Sequence, residues 1–321
     1  MTLSWVVTYQ ATRPGVPVAA STQHGQAAAK TNGLNRASAV LEVPKIEAKP
    51  TVVNLQAQAA AAKLAREARI AAKKASAPFS FKIATFNVLG SQHTAPGGDA
   101  TSRAPGYVRS RWAADIINTA GADIIGFDEM QLDQYNVMMQ NVGGYESYPG
   151  TSLGGAGIPT NIIWRTSKFN LVGTSTLTID FLGQNRPMPI VELQDKATGR
   201  NFYVFNVHNS PVQGKNTHEA ERNVQENLEV AKINALRKTG LPVFFMGDLN
   251  EHADVFCHVT GSTDLVSASG GSSSGTCRPP ADMRVDWIFG SAAFSGFTLD
   301  RSAQVQRTTD HTVLFATATV N

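Results

Sequence analysis

The sequence predicts an α/β protein: one mixed body over residues 79–321, preceded by a region of different character over residues 1–78. Three observations carry this. Short runs rich in Val, Ile, Phe, Tyr and Trp recur from residue 81 onward, bounded by Gly, Pro, Asn or Asp, as strands are. Helical periods fall between those runs, so strands and helices share one fold. The body is about 240 residues long, a size one α/β domain reaches.

Residues 1–54 carry few large apolar residues and no sustained period, and are expected to be mostly disordered. The opening MTLSWVVTYQATRPGVPVAAS ends in small residues, Val18-Ala19-Ala20. It has no basic start, and Arg13-Pro14-Gly15 interrupts its apolar stretch, so it makes a poor signal peptide. Residues 55–75, LQAQAAAAKLAREARIAAKKA, are strong helix formers with a thin apolar stripe, which predicts a solvated helix or semi-rigid linker. The basic charge sits in this front region. Residues 1–80 hold ten Lys+Arg against three Asp+Glu, and the remainder holds 18 against 22. A mildly acidic body does not hold a polyanion by bulk charge. If it acts on phosphates, a bound cation must supply positive charge. No run reaches the roughly 18 apolar residues of a membrane span, and a monomer is expected.

Within the body the strand candidates are residues 81–87, 123–129, 161–166, 171–179, 202–208, 243–248, 284–289 and 312–319. Several are apolar at both parities, the pattern of strands covered on both faces. One helix is expected over 107–120, with Val108, Trp112, Ile116 and Ile117 on one side and Gly121 as its stop. A longer one is expected over 217–238, where Val224, Leu228, Ala231 and Ala235 form one face. Trp112 and Trp287 are read as core. Segments 90–106 and 143–160 are Gly/Pro-rich loops without Lys/Arg clusters or aromatic wedges, so they offer no support for nucleic-acid recognition.

The strand ends carry the chemistry. Asn87 closes FKIATFN, Asp128 and Glu129 close DIIGFDE, and His208 closes FYVFNVH. Asp248 closes VFFMGD with Asn250 just beyond, Asp286 sits in RVDWIF, and Asp310 and His311 precede TVLFATAT. Ligands bind at strand ends in α/β folds because the loops there converge. Carboxylates and amides gathered in one place repel unless a cation joins them. Oxygen ligands favour Mg²⁺, with Mn²⁺ or Ca²⁺ as alternatives. Histidines add groups that donate to a phosphate or protonate a leaving oxygen. Metal-assisted hydrolysis of a phosphate ester fits these parts.

Six motifs in order, ATFNVLG, DIIGFDEMQ, FNVHNSP, FFMGDLNE, MRVDWIFGS and TDHTVLF, resemble the endonuclease/exonuclease/phosphatase superfamily, the DNase I-like fold class. The resemblance covers roughly residues 80–321. It implies a four-layer sandwich, with two mixed β-sheets packed face to face and helices on both outer sides. It implies Glu129 as metal ligand with Asn87 and Asp310 completing the metal surroundings. Asp248 would orient or deprotonate the attacking water, and Asn250 would hydrogen-bond the phosphoryl oxygen. His311 would stabilise charge on phosphorus with Asp286 holding its ring, and His208 would contact phosphate and assist the leaving oxygen. Asn161 and Arg186 are weaker candidates for substrate contact. The family has Gln where Asp128 stands here, which adds a negative charge and bears on metal number.

The implied activity is a divalent-metal-dependent phosphoesterase, first a DNase-like nuclease. The alternatives are a phospholipid phosphodiesterase of sphingomyelinase type, a small-metabolite phosphatase, and a non-catalytic binding module. Cys257 and Cys277 lie in one Gly/Ser-rich stretch and are expected to pair, which points to an oxidising, extracellular setting. His24, His93, His218, His252 and His258 are read as surface or loop residues, His252 lying nearest GDLNE. HEAER at 218–222 is no zinc motif, because Arg222 stands where a second His is needed.

Overall fold

The computed structural model describes residues 52–321 apart from Arg284, and of these Gln56–Asn321 form a compact unit. The leader, and the disorder expected over residues 1–54 as far as residue 51, lie outside the described residues, and Val52–Asn54 belong to a helix. The elements begin with α1 Val52–Ala75, β1 Phe79–Asn87, α2 Ser91–Thr94, α3 Gly106–Ala120, β2 Ile124–Asp128, α4 Leu132–Asn141 and β3 Tyr145–Tyr148. Then come β4 Asn161–Arg165, β5 Phe169–Phe181, β6 Gln184–Asp195, β7 Asn201–His208, α5 Glu219–Arg237, β8 Val243–Asp248 and α6 Ala253–Ser262. The chain ends with β9 Val266–Ser267, β10 Asp286–Gly290, β11 Ala293–Asp300, α7 Ser302–Val305 and β12 Val313–Val320. No described helix is long and apolar enough to cross a membrane.

The strands form two six-stranded sheets, ordered β11-β12-β1-β2-β4-β3 and β5-β6-β7-β8-β10-β9. Each is antiparallel except for one central parallel pair, β1 with β2 and β7 with β8. The sheets share one apolar core. Phe81 of the first stacks on Phe202 of the second at 5.0 Å and meets Phe244 edge-on at 4.9 Å. A separate core under α3 and α4 covers the outer face of the first sheet, built from Phe86, Phe127, Ile117 and Met138 among others. Helices α5 and α6 pack on the second sheet, α6 burying Val255, Phe256 and Val259. This is the expected four-layer sandwich. Burial on both faces explains why the central strands read apolar at both parities.

The structure differs from the sequence reading in these features. β6 is a full strand that the strand candidates omitted. It folds back on β5 through Leu182-Gly183, both at positive φ, the signature of a tight hairpin turn. Pro187 and Pro189 lie where β6 has β5 on one side only, since pairing with β7 starts at Ile190. Trp112 is not core: it is 36% exposed, and α3 turns inward Arg109, Ala113, Ala114, Ile116 and Ile117 instead. The guanidinium of Arg109 takes that space because it donates to the carbonyls of Val88, Leu89, Ala104 and Thr308.

Helix α5 is turned against its apolar pattern. Val224 and Leu228 face solvent at 60% and 41% exposure, while Arg222, Gln225, Glu226 and Glu229 are buried. Their polar atoms are used inside: Gln225 accepts from Ser210 N, Arg222 donates to Ser210 O and Glu251, and Glu229 accepts from Asn209. Trp287 is core as expected. Cys257 and Cys277 are joined by a disulfide, with Cα atoms 5.8 Å apart.

Candidate active site

The two parallel pairs gather the functional residues. Parallel strands end at the same edge, and the register sets Asn87 beside Asp128 and His208 beside Asp248. β10 runs antiparallel to β8 and starts where β8 ends, so Asp286 faces Asp248. Asp310 and His311 precede β12, which begins at this same edge because it runs antiparallel to β1. Gly247 permits the approach of β7 to β8. Its φ is 141°, and a Cβ there would lie 1.8 Å from Val207 O. Leu89, Glu129 and Asn250 adopt left-handed φ of 54°, 61° and 50°. Such backbone costs about 1–2 kcal/mol per residue and concentrates at functional sites.

The side chains converge on Asp248. Asn87 Nδ2 donates to Glu129 Oε1 at 2.9 Å and to Asp248 Oδ2 at 3.0 Å, while its oxygen accepts from Leu89 N. Asn87 therefore clamps two carboxylates within the expected metal surroundings. His208 Nε2 and His311 Nε2 stand 3.6 and 3.7 Å from Asp248 Oδ2. His311 Nδ1 lies 2.9 Å from Asp286 Oδ2. Asn250 is held by its own backbone N donating to Asp248 Oδ1 and its amide donating to Asn209 O. A cleft of about 660 Å³ opens above, lined by Glu129, Arg186, His208 and Asp310 among others. Arg186 lies over the Phe181 ring, 3.7 Å from its centroid. Asn161 is fully buried, accepts from Gly150 N and donates to Ile158 O. Its amide holds that loop in place.

Charge is divided unevenly. Burial pushes Glu129 up, but His93, His208 and Asn87 outweigh it and hold the carboxyl well below the usual range. Burial pushes Asp248 up, against the pull of His311. Burial opposes charge on His311, yet Asp286 and Asp248 prevail and hold it protonated well above the ordinary range. Burial holds His208 down. The site thus keeps one imidazole charged and one neutral on either side of a single carboxylate.

His93 and Asn206 escaped the sequence reading, and Asp128 was read as an added negative charge beside the metal. Asp128 points between the sheets, where Oδ2 accepts from Asp248 N at 3.0 Å and Oδ1 from Asn206 at 3.2 Å. Burial, then Asp248, raises it well above the usual range, which favours its neutral form. Gly126 lacks a Cβ because Asn206 Oδ1 would lie 2.2 Å from one. His93 was read as a loop residue. It stands at the cleft with Nε2 3.3 Å from Glu129 Oε2 and Nδ1 2.8 Å from Asp99 Oδ1. Contact with Glu129, helped by Asp99, raises its pKa to about 9. Its only signal was position six residues past a strand end. His252 bonds Met283 O, His258 pairs with Glu226, and His218 pairs with Glu221, so none of these faces Asp248.

The residues fit a divalent cation. Ligand atoms of Glu129, Asp248 and His311 lie within 4.8 Å of one another, Glu129 is kept ionised, and exposed Asp310 lines the same cleft. Glu129 is the residue common to this cluster and to the expected ligand set. Asp248 and His311 hold the opposite side.

Fold and site together define an α/β-sandwich phosphoric ester hydrolase. The chain belongs to the endonuclease/exonuclease/phosphatase family, whose family model matches residues 84–311. Solved structures share the fold. A family protein from Bacteroides thetaiotaomicron superposes with TM-score 0.58 at 18% identity, over 76% of this chain and 96% of that one. A mannosyl-6-phosphatase from the same organism gives 0.56 at 18%, over 75% and 100%. The human Nocturnin catalytic domain with bound sulfate gives 0.55 at 17%, over 75% and 95%. A search of curated proteins returned no match.

Proposed function

We propose that the chain hydrolyses phosphodiester bonds, with DNA or RNA as its first substrate class, by attack of a water that Asp248 orients and deprotonates. The observation that carries this is the pair of imidazole Nε2 atoms, His208 and His311, 3.6 and 3.7 Å from Asp248 Oδ2. A phosphoryl group over Asp248 meets a donor on each side. His311, held charged between Asp286 and Asp248, stabilises the non-bridging oxygens. His208, its ring edge-on to Phe181, meets the leaving oxygen. Asn250 donates to phosphate when its bond to Asn209 O is exchanged. A divalent cation at Glu129 and Asp310, Mg²⁺ in the first instance and Mn²⁺ or Ca²⁺ otherwise, neutralises phosphate charge. Arg186 adds the charge of a fixed guanidinium at the cleft.

A second reading is favoured by one observation. Arg186 is the one Lys or Arg lining this cleft among the described residues, and long nucleic acids require several such contacts. A compact phosphate ester, of a phospholipid headgroup or a phosphorylated metabolite, needs fewer. A non-catalytic module is disfavoured, since the chain keeps Glu129, Asp248, His208 and His311 together. The disulfide suits an oxidising, extracellular setting.

The test is hydrolysis of supercoiled plasmid by the purified protein with Mg²⁺ or Mn²⁺, with and without EDTA, beside Asp248→Ala. EDTA-sensitive nicking that is lost in the variant supports the nuclease. No nicking with either ion, but phosphate or headgroup release from small esters that the variant lacks, moves the activity to the second reading.

A further inference from the structure

We infer that Arg222 is a positioning residue for the reaction: one buried guanidinium ties the chain leaving β7 to the chain leaving β8, and so holds Asn250 where it meets phosphate. This rests on the reading of Asn250 as a phosphate donor.

Arg222 is the residue that keeps HEAER from being a zinc motif, and its side chain is buried. A buried guanidinium stays charged and must find acceptors for its fork. It finds three, on three segments. Nη1 donates to Ser210 O at 3.0 Å and to Thr217 O at 2.6 Å, and Nε donates to Glu251 Oε2 at 2.8 Å. Ser210 and Thr217 bound the loop whose middle, Pro211 to Gly214, lines the cleft. Ser210 is two residues past His208, and Glu251 directly follows Asn250. The neighbouring residues of α5 serve the same point. Ser210 N donates to Gln225 Oε1, Gln225 Nε2 donates to Ser210 Oγ, and Ser210 Oγ donates to Glu221.

The placement of these acceptors gives the guanidinium its function. The chains of β7 and β8 stay joined as far as Asn209 N, which donates to Asp248 O at 2.9 Å. Beyond that point two links join them among the described residues. Asn250 Nδ2 donates to Asn209 O at 2.8 Å, and Arg222 connects Ser210 O to Glu251. Ser210 and Glu251 follow Asn209 and Asn250 directly, so the two links lie side by side. When the Asn250 amide leaves Asn209 O for phosphate, the first link opens and Arg222 keeps the second closed. The backbone of Asn250 needs that hold, since it sits at a left-handed φ of 50°. Glu251 is braced from the other side as well. Its carbonyl accepts from Trp287 Nε1 at 2.9 Å, and Trp287 follows Asp286 in β10. A planar fork that reaches three acceptors in different directions is a geometry an ammonium does not reproduce. Neither Arg222 nor Glu251 lines the cleft among the described residues, so the effect on the reaction passes through Asn250.

The test is steady-state hydrolysis of bis(p-nitrophenyl) phosphate, or of p-nitrophenyl phosphate if the wild type prefers the monoester, with Mg²⁺ or Mn²⁺. The variants of the full chain are Arg222→Lys, Asn250→Gly and the two combined, with Glu251→Ala as an approach from the more exposed end of the ion pair. Glycine accepts the left-handed φ, so Asn250→Gly removes only the amide side chain. Urea unfolding checks that each variant is folded under assay conditions. Arg222→Lys should lower kcat on the order of 100-fold, the scale set by a misplacement of about 1 Å, and raise KM less. Glu251→Ala should lower kcat in the same sense. In the Asn250→Gly background, Arg222→Lys should lower kcat little further, because the group it positions is gone. An equal loss in both backgrounds overturns the inference and leaves Arg222 a structural residue. A rise in KM alone, or a wild-type kcat in folded Glu251→Ala, does the same. Where Arg222→Lys does not fold, Glu251→Ala takes its place in the double-mutant cycle. Asn250→Gly at wild-type kcat overturns instead the reading of Asn250 on which the inference rests.

Discussion

Asp286 Oδ2 lies 2.9 Å from His311 Nδ1, and this fixes which face of the ring meets Asp248. The carboxylate both orients the imidazole and keeps it charged. Asp286→Asn removes the charge and keeps the shape. It should lower kcat about 10²–10³-fold, the range for loss of one electrostatic stabiliser, with little change in KM. Because one anion beside His311 is gone, the alkaline limb of the pH–rate profile should move to lower pH. Steady-state kinetics from pH 6 to 10 check this. An unmoved limb would show that His311 does not act as the charged group.

Asp128 accepts from the backbone N of Asp248 at 3.0 Å, across the gap between the sheets. Asp128→Ala leaves that donor, and the amide of Asn206, short of an acceptor in a dry interior. The expected cost is about 1–3 kcal/mol of stability, read as a lower urea midpoint at unchanged slope. Activity should fall as well, because Asp248 is then less firmly placed. A variant of wild-type stability would mean that water replaces the carboxyl.

Glu229 is fully buried under α5, and burial pushes it up to about 8. An unfolded glutamate titrates at roughly 4.3. Between these values the folded state holds a proton that the unfolded state has lost. Its stability contribution is therefore whole below about pH 4.3 and is lost as pH rises through about 8. The full swing is at most on the order of 4–5 kcal/mol. Glu229→Gln keeps the neutral shape and does not titrate. Thermal melts should show the variant gaining on the wild type as pH rises from 5 to 8. Parallel curves would count against a proton on Glu229.

The Cys257–Cys277 bridge closes a loop of sequence separation 20. Replacing both residues by serine should cost about 2–4 kcal/mol. Urea unfolding of the double variant checks this, and adding reductant to the wild type should lower its midpoint by a similar amount. An unchanged midpoint would show that the loop is already ordered without the bond.

Much of the site was legible because its residues sit at the ends of strands whose apolar interiors announce themselves. Val243–Asp248 is buried throughout, and its last residue is the carboxylate at the centre of the site. Asn87, Glu129, His208, Asp286 and His311 share that property, so local pattern sufficed to place them near strand ends. The disulfide was legible from two cysteines in one short stretch. Local pattern failed where a residue's partner is distant in sequence. His93 gained its meaning from Glu129, and Asp128 from Asp248, across 36 and 120 positions. The hydrogen bonds of Asn161 to Gly150 and Ile158 were likewise not legible from local pattern.

Helix α5 marks the boundary most clearly. Its apolar period was present in the sequence, yet Val224 and Leu228 face solvent and Glu229 faces the core. Periodicity identifies a helix, since side chains recur with the turn of the backbone whatever surrounds them. It cannot choose the inward face when the interior already offers Asn209 and Ser210 as partners for buried polar groups. The sequence by itself determined the α/β class and the carboxylate, amide and imidazole chemistry at the strand ends. Only the tertiary structure decided that Asn87 is a clamp, that His93 belongs to the site, and that Asp128 is an interior acceptor. Those assignments depend on distances between segments that no local pattern encodes.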